Sequence, residues 1–225
     1  MVKICVSGSK GKMGSRILDL AKEDPELQVS GEFDIDGKAE ESIGPCDCLI
    51  EFTTPKATME HLAICEKGKH AMVIGTTGLS EEERGKIKEA SANIPVVFSP
   101  NMSIAVNLLF KLVQDASKIL GNEYEISILE AHHAEKKDAP SGTAKEMEKI
   151  VKSVKGPDTD VAISSVREGE IVGEHTITFE SETDLIEITH SAKTRDIFAK
   201  GALTAAKFAA GKKSGLFTMK DVLGL

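Results

Sequence analysis

The sequence predicts an α/β protein in two parts: a domain with a parallel sheet, then a smaller α+β domain with a mixed sheet. Up to about residue 102, short apolar runs alternate with helical patterns. Such alternation gives a parallel sheet with right-handed crossovers. Beyond the next helix several strands follow one another, a pattern typical of antiparallel or mixed sheets. We therefore expect one domain at residues 1–102 and a second at 103–196, with the tail 197–225 returning to the first.

The elements of the first domain follow from its apolar runs and its helical periodicity. A first strand precedes Gly8, and further strands are expected at 27–33, 48–52, 70–75 and 96–98. The helices between them are expected at 15–22, 56–67 and 80–93. Small or polar residues follow the strands. Ligands of parallel sheets bind at the carboxyl ends of the strands, where these turns lie.

The second domain is expected to begin with an amphipathic helix at 103–120. The remaining elements of this domain are strands at 125–129, 161–166, 174–179 and 185–189 and a helix at 145–154, and an alanine-rich helix at 195–211 then begins the tail. The last two strands alternate apolar and polar residues, so one sheet face is expected to be buried and the other free or in an interface. His175 and His190 lie in these strands, and we interpret them as sheet residues rather than ligands.

The composition disfavours several classes of protein. The formal net charge of −8 and the pI near 5.4 argue against nucleic acid or an anionic membrane as a partner, because these need a basic face. No run approaches the roughly 18 apolar residues of a membrane span, and the N-terminus enters a strand without a signal-peptide pattern. We therefore expect a cytoplasmic protein.

The four cysteines predict neither a zinc site nor a disulfide framework. They lack C-x-x-C spacing and fall mostly in apolar runs, so we expect buried free thiols and no metal. These residues are Cys5, Cys46, Cys48 and Cys65.

A glycine loop at the N-terminus predicts dinucleotide binding. Gly8, Gly11 and Gly14 follow the first strand and precede a helix, where glycines allow close approach and the helix N-terminus offers N–H donors to a pyrophosphate. Asp34 ends the next strand, twenty residues beyond Gly14, at the place of the acid that binds the adenine ribose. The G-x-x-G-x-x-G spacing is looser than the strict motif. A plain glycine turn with a chance acid at a strand end is the alternative.

Residues 130–144 hold the densest chemistry of the chain, Glu-Ala-His-His-Ala-Glu-Lys-Lys-Asp-Ala-Pro-Ser-Gly-Thr-Ala. The run lies between a predicted strand and a predicted helix. Ser141 is a good N-cap, so the N–H groups of Gly142 and Thr143 would favour an anion at the helix start. Two histidines and two lysines precede this anion site and suggest proton transfer beside a bound anion. A solvated basic loop followed by an ordinary helix cap is the alternative.

The same run resembles the signature of the dihydrodipicolinate reductase family. The resemblance rests on Glu130-Ala-His-His133 followed by Lys136-x-Asp-Ala-Pro-Ser-Gly-Thr-Ala144, and it extends over nearly the whole chain. Further matching segments are Gly8 to Gly14, Glu51-Phe-Thr53, Val73 to Gly78, Asn101, and Ile171 to Thr176. The chain departs from the family pattern at Ala134 and Glu135, where many members have a basic residue.

The resemblance implies a Rossmann-like nucleotide domain joined by hinges to a substrate domain that forms a homotetramer. It also implies reduction of a cyclic imine dicarboxylate to tetrahydrodipicolinate with NADH or NADPH. His132 matches the proton donor or acceptor, and Lys136 matches the proton donor. The candidate substrate-binding residues are His133, Ser141, Gly142 and Thr143. The candidate cofactor-binding residues are Gly8, Ser9, Lys10, Gly11, Lys12, Met13, Asp34, Gly75, Thr76, Thr77, Ser99, Pro100, Asn101 and Met102.

The cofactor preference stays open at this point. Asp34 favours NADH because a carboxylate repels a 2′-phosphate. Ile35 stands where some family members carry an arginine for that phosphate. Lys10 and Lys12 offer two ammonium groups in its place, so we expect use of both cofactors; the alternative is that both lysines are solvated loop charges.

Two other functions remain alternatives to this reductase. One is a non-catalytic NAD(P)-binding sensor, which would be expected to have lost His132 or Lys136. The other is a two-domain dehydrogenase acting on a sugar or a semialdehyde, which would not need cationic residues beside a Ser-Gly-Thr helix cap.

Overall fold

The computed structural model describes residues 1–225, and their elements follow the predicted order. The first ten are β1 Val2–Ser7, α1 Lys12–Glu23, β2 Leu27–Phe33, α2 Ala39–Ile43, β3 Cys48–Glu51, α3 Pro55–Gly68, β4 Ala71–Ile74, α4 Glu81–Ala90, β5 Pro95–Phe98 and α5 Ile104–Ile119. The other eight are β6 Glu125–His132, α6 Gly142–Lys155, β7 Ala162–Arg167, β8 Glu174–Glu180, β9 Leu185–Ser191, α7 Asp196–Ala210, β10 Gly215–Phe217 and α8 Met219–Leu223.

The chain divides into two units, one of Met1–Ile104 with Asp196–Leu225 and one of Ala105–Arg195. The first unit holds a six-stranded sheet in the order β10-β5-β4-β3-β1-β2. All its strand pairs are parallel. This Rossmann-like sheet confirms the predicted α/β class.

Side chains of each strand alternate between two buried layers of the first unit. Ile4 and Val6 of β1 pack with the alanine-rich side of α7, whereas Cys5 packs in the layer that holds Leu62 of α3. Burial on both faces explains why these strands read as continuous apolar runs. All four cysteines lie here as buried free thiols, and burial raises the pKa of Cys46 to about 12.

Three short elements were not predicted from the sequence. Helix α2 has five residues, β10 has three, and α8 has five. Segments of this length carry too few apolar positions to show a period. Strand β10 pairs with β5, which joins the C-terminal tail to the parallel sheet.

The second unit holds a four-stranded sheet in the order β7-β6-β8-β9. Strands β6 and β7 are parallel and the other pairs are antiparallel, which confirms the predicted mixed sheet. One face packs against α5 and α6 around Ile128 and Ile177. The opposite face leaves Leu129 49% and Leu185 52% exposed. No helix of the chain is long and apolar enough to cross a membrane.

Candidate active site

The loop from β6 to α6 forms the candidate active site of the second unit. Strand β6 ends at His132, and α6 begins at Gly142. Ser141 caps the helix as predicted, since its hydroxyl accepts a hydrogen bond from the Ala144 N–H at 3.2 Å. The N–H groups of a helix's first turn have no carbonyl partner within the helix, so this end favours an anion.

A buried carboxylate, Glu130, organises the residues around His132. Its side chain is fully buried and accepts a hydrogen bond from His132 Nδ1 at 2.5 Å. The two terminal nitrogens of Arg167 bind its two oxygens at 2.6 and 2.9 Å. The Ser141 N–H donates to it at 3.1 Å. Burial alone would raise the pKa of Glu130, but the hydrogen bonds from Arg167, Ser165, His132 and Ser141 outweigh burial and hold its pKa at about 2.

The ionised Glu130 decides the tautomer of His132. An ionised carboxylate only accepts hydrogen bonds, so His132 Nδ1 must carry a proton and Nε2 is the atom that gains or loses one. Burial lowers the pKa of His132 below its usual 6.5, and the positive charges of Lys136 and Arg167 lower it further, while Glu130 acts in the opposite direction. His132 is therefore mainly neutral at pH 7, with a lone pair on Nε2.

Lys136 lies in the turn that follows β6. Its ammonium binds both carboxylate oxygens of Asp138 at 2.7 and 2.8 Å, and its side chain is 20% exposed. His133 is half-buried, whereas Lys137 is exposed. Lys136 is thus partly buried and paired with Asp138, whereas Lys137 is exposed to solvent.

His175 belongs to this cluster, although its sequence pattern indicated a plain sheet residue. It lies opposite Glu130 in the β6–β8 pairing, and its Nε2 is 2.9 Å from the Ser141 hydroxyl. Its ring centroid is 5.1 Å from that of His132. Burial lowers the pKa of His175 to about 4, with a further contribution from His132, so it is neutral at pH 7. Because His175 lies two residues before the buried Ile177 on the same strand, the alternation of the strand was the one feature that placed it on the buried face.

Glu130, His132 and His175 bring possible metal-ligand atoms within 4.8 Å of one another. The donor set does not fit a cation, because Arg167 already places a positive charge on both oxygens of Glu130. A metal ion at this position would lie close to the guanidinium, and the repulsion between the two positive charges would disfavour its binding. Glu130 and His132 are joined by a hydrogen bond, and the His175 ring packs edge-on against that of His132.

The glycine loop of the first unit has the backbone geometry of a phosphate cradle. Gly8 adopts φ +68°, and Gly11 N–H donates to its carbonyl at 2.9 Å. A Cβ at Gly14 would lie 2.1 Å from the Gly8 oxygen, so only glycine fits there. Helix α1 begins at Lys12, directly after this turn.

Asp34 is tied to the glycine loop by backbone hydrogen bonds. Its carboxylate accepts from the N–H groups of Ile35 at 2.8 Å and Lys10 at 2.9 Å, and these bonds lower its pKa. It borders a cavity of about 360 Å³ that Gly8 also lines. A carboxylate held beside a glycine turn fits the ribose of a dinucleotide.

One wall of the same cavity is formed by a histidine whose buried carboxylate partner the sequence did not reveal. His61 of α3 lines the cavity, and its Nδ1 lies 2.6 Å from the fully buried Glu51. Thr53 donates its N–H to Glu51 at 3.0 Å, and its hydroxyl binds the same oxygen. Because His61 directly follows Glu60 in a helix with several other polar residues, no local signal distinguished it from a surface histidine.

The remaining candidate cofactor residues follow β4 and β5 at the same edge of the parallel sheet. Gly75 is half-buried and Thr77 is exposed, whereas Thr76 is buried with its hydroxyl 2.9 Å from that of Thr58. After β5, Pro100 is exposed and Asn101 half-buried, whereas Ser99 and Met102 are buried. Around the glycine loop, Lys10 and Lys12 are exposed and Ser9 and Met13 half-buried. Among these candidates the side chains of Thr76 and Met102 are thus the least accessible to a ligand, together with that of Ser99.

Family models cover almost the entire chain. One described as dihydrodipicolinate reductase, N-terminus, matches residues 2–102. A second, described as dihydrodipicolinate reductase, C-terminus, matches residues 105–223.

Full-length relatives and a solved structure agree with these matches. The 4-hydroxy-tetrahydrodipicolinate reductase of Geotalea uraniireducens is 39% identical over 266 aligned positions that span 100% of both chains. That of Dechloromonas aromatica is 41% identical, covering 99% of this chain and 98% of the relative. A dipicolinate-bound dihydrodipicolinate reductase from Paenisporosarcina sp. TG-14 superposes with a TM-score of 0.84 over 97% of each chain at 22% identity, which supports the fold. The chain belongs to the dihydrodipicolinate reductase family.

Proposed function

We propose that this chain reduces 4-hydroxy-tetrahydrodipicolinate to tetrahydrodipicolinate with NADH or NADPH, in the diaminopimelate route of lysine biosynthesis. Balance requires one hydride and one proton for each substrate, with release of one water. The single observation that carries the proposal is the juxtaposition of His132 with its ionised partner Glu130 at the end of β6, next to the loop that holds Lys136 and leads into α6. The reduced nicotinamide, when bound, supplies the hydride.

The start of α6 is our candidate for the site of a substrate carboxylate. Gly142 is exposed, and a Cβ there would meet no atom within 4 Å, so open space lies beside this backbone. Thr143 follows it in the first turn, and Ser141 fixes the helix start through its cap. His133 and Lys136, from the same loop, would add hydrogen-bond donors and positive charge. Together these groups favour a dicarboxylate over a neutral sugar.

Lys136 and His132 would divide the proton transfers between them. An ammonium group is an acid at neutral pH, so Lys136 is suited to protonate the leaving hydroxyl or the electron-rich carbon. His132, neutral at pH 7, is suited to accept a proton at Nε2. A positioned acid and base each contribute typically about 10²- to 10⁴-fold to a rate.

The test is the oxidation of NADPH or NADH by the purified chain with enzymatically produced 4-hydroxy-tetrahydrodipicolinate. We expect substrate-dependent oxidation and competitive inhibition by pyridine-2,6-dicarboxylate, a planar analogue with both carboxylates. A chain that binds NADPH without turning over would instead be the sensor. Turnover of a semialdehyde or sugar in preference to this substrate would support the other alternative.

For cofactor choice, we expect NADH to be at least as good as NADPH, with NADPH use depending on Lys10 and Lys12. Asp34 favours NADH, Ile35 is 93% exposed and offers no charge, and both lysines are exposed beside the loop. The double variant Lys10→Ala/Lys12→Ala should therefore lose kcat/KM for NADPH by about tenfold while that for NADH changes little, if a desolvated phosphate contact contributes about 1.4 kcal/mol. The measurement is kcat/KM for both cofactors in both proteins. Equal losses, or no loss, would contradict a phosphate contact.

A homotetramer is our proposal for the assembly. The face of the mixed sheet opposite α5 and α6 exposes Leu129, Val166 and Leu185, and large apolar groups at a sheet face favour burial against a partner. Light scattering at micromolar concentration should give four times the 24.1 kDa chain mass. A monomer mass would reject this assembly. We further propose a cytoplasmic location, which four unpaired thiols suit.

A further inference from the structure

Arg167 connects the two groups to which the proposed function gives proton transfer. Its terminal nitrogens bind both oxygens of Glu130, which in turn binds His132 Nδ1. One of these nitrogens also donates to the main-chain carbonyl of Asp138 at 2.6 Å. The Asp138 carboxylate holds the ammonium of Lys136. A single guanidinium therefore contacts both Glu130, which binds His132, and Asp138, which binds Lys136.

The register of the mixed sheet explains why these side chains meet. His132 lies beside Arg167 in the parallel β6–β7 pairing, and Glu130 lies beside Ser165 two residues earlier. Residues two apart on a strand share a face, so Glu130, His132 and Arg167 project from the same side as the apolar Ile128. Along β6 and β7, the side chains on the core face of the sheet thus change from apolar residues to an ion-pair cluster.

His132 is confined on both sides of its ring. Glu130 holds Nδ1, and a Cβ built on Gly173 would lie 3.1 Å from Nε2, so the backbone before β8 approaches the opposite nitrogen closely. The charged and titratable groups around the ring are Glu130 from β6, Lys136 from the loop, Arg167 from β7 and His175 from β8. Rotation of the ring would break the short bond to Glu130 and leave a buried carboxylate oxygen with one partner fewer.

We propose that Glu130 and Arg167 are positioning residues of the reductase: Glu130 fixes His132 as the Nδ1–H tautomer, and Arg167 locks Glu130 and the Asp138 carbonyl in register so that His132 Nε2 and Lys136 are presented together. This inference rests on the proposed function. A residue that orients an acid or base without touching the substrate acts mainly on kcat, as known for carboxylates that hold a catalytic histidine. A purely structural ion pair would instead act on stability alone.

Because Glu130 and Arg167 carry opposite charges, replacing each of them should shift the pKa of His132 in opposite directions. Glu130→Gln keeps the shape but removes the negative charge that raises the pKa of His132, so that pKa should fall. Arg167→Met removes a positive charge that lowers it, so that pKa should rise. Arg167→Lys keeps the charge but not the fork of two donors, so the pKa of His132 should stay close to that of the wild type while the geometry loosens. Opposite displacements would show that both charges act on His132, and the tautomer of His132 together with kcat then separates a positioning role from a purely structural one.

The experiment compares these three variants with the wild type and with Lys152→Met. The control removes the Lys152–Glu148 ion pair on α6, in the same unit and outside the active-site network. The readouts are kcat and KM against pH, thermal unfolding, and side-chain nitrogen NMR of ¹⁵N-histidine protein, with His132→Gln used to assign the resonances. NMR reports the tautomer and pKa of His132 without requiring turnover.

We expect kcat to fall by about 10- to 100-fold in Glu130→Gln and Arg167→Met, with KM little changed and a smaller loss in Arg167→Lys. The low-pH limb of kcat should move with the pKa of His132, downward for Glu130→Gln and upward for Arg167→Met. If Arg167→Met does not fold, Arg167→Lys and Glu130→Gln still decide the question. Variants with the kcat, tautomer and His132 pKa of the wild type would overturn the proposal. Absence of reductase activity in the wild type and Lys152→Met would reject the proposed function, while the NMR result would still judge the positioning.

Discussion

Replacing Lys136 or His132 with alanine is expected to reduce kcat by about 100-fold or more while leaving dinucleotide affinity near that of the wild type. Lys136 supplies the acid of the proposed reaction, and His132 supplies Nε2 as the acceptor. Each alanine removes the titrating group. Both residues belong to the second unit, whereas the glycine loop and Asp34 belong to the first, so the binding of NADPH is a separate readout.

The matched control for Lys136→Ala is Lys137→Ala. The neighbouring lysine has the same charge and lies in the same loop, but it is exposed and is outside the proposed proton-transfer pair. Steady-state kinetics and fluorescence titration with NADPH should show a large loss of kcat for Lys136→Ala and little change for Lys137→Ala. Equal effects of the two substitutions would mean that loop charge, and not a positioned acid, is what the reaction needs. Wild-type turnover in His132→Ala would remove His132 from the mechanism.

The elements that could be predicted are those with a long, regular hydrophobic period. Strand β2 was predicted with the bounds Leu27–Phe33 that it has in the structure, and α3, α5 and α7 were predicted to within two residues at each end. Strand β6 was predicted three residues too short, because its end carries Glu130 and His132 in place of apolar residues. The polar end of this strand is where the candidate active-site cluster begins. The break in the apolar pattern at Glu130 thus coincides with the candidate site and not with the end of the strand.

Some residues of the candidate site could likewise be identified from adjacent sequence, whereas others come together only through the pairing of distant strands. Ser141 could be identified as a helix cap because capping depends on adjacent residues. Arg167 and His175 lie 37 and 45 residues from Glu130 in the chain and meet it only through strand register, which no local pattern specifies. The phase of His175 with Ile177 and Phe179 placed it on the buried face, but a buried histidine has no predictable partner until the neighbouring strand is known. Glu51 lies in a segment that matches the family, but its partner His61, ten residues later in α3, carries no local signal that separates it from a surface histidine.

Helix α7 packs unusually close to the segment that follows β5, and one glycine permits this. A Cβ on Gly201 would lie 1.7 Å from the main-chain oxygen of Met102 and 2.8 Å from its carbon. The obstacle is backbone, so no rotamer change can relieve it. Alanines at 199, 202, 205 and 206 on the same helix are fully buried, which is consistent with a helix that lies tightly on its neighbours. The segment Ser99–Met102 is also a candidate contact of the cofactor.

Gly201→Ala is therefore expected to destabilise the protein, although alanine is the better helix former. Forcing a methyl group into filled space typically costs about 1–3 kcal/mol, and here the helix or the 99–102 segment must move. The matched control is Gly85→Ala in α4, where a Cβ would meet no atom within 4 Å, and this change should stabilise by about 0.5–1 kcal/mol. Urea unfolding of both variants gives the free energies of unfolding, and NADPH titration shows whether displacement of the segment weakens cofactor binding. If Gly201→Ala were as stable as Gly85→Ala, the close approach of α7 to Met102 would be wrong.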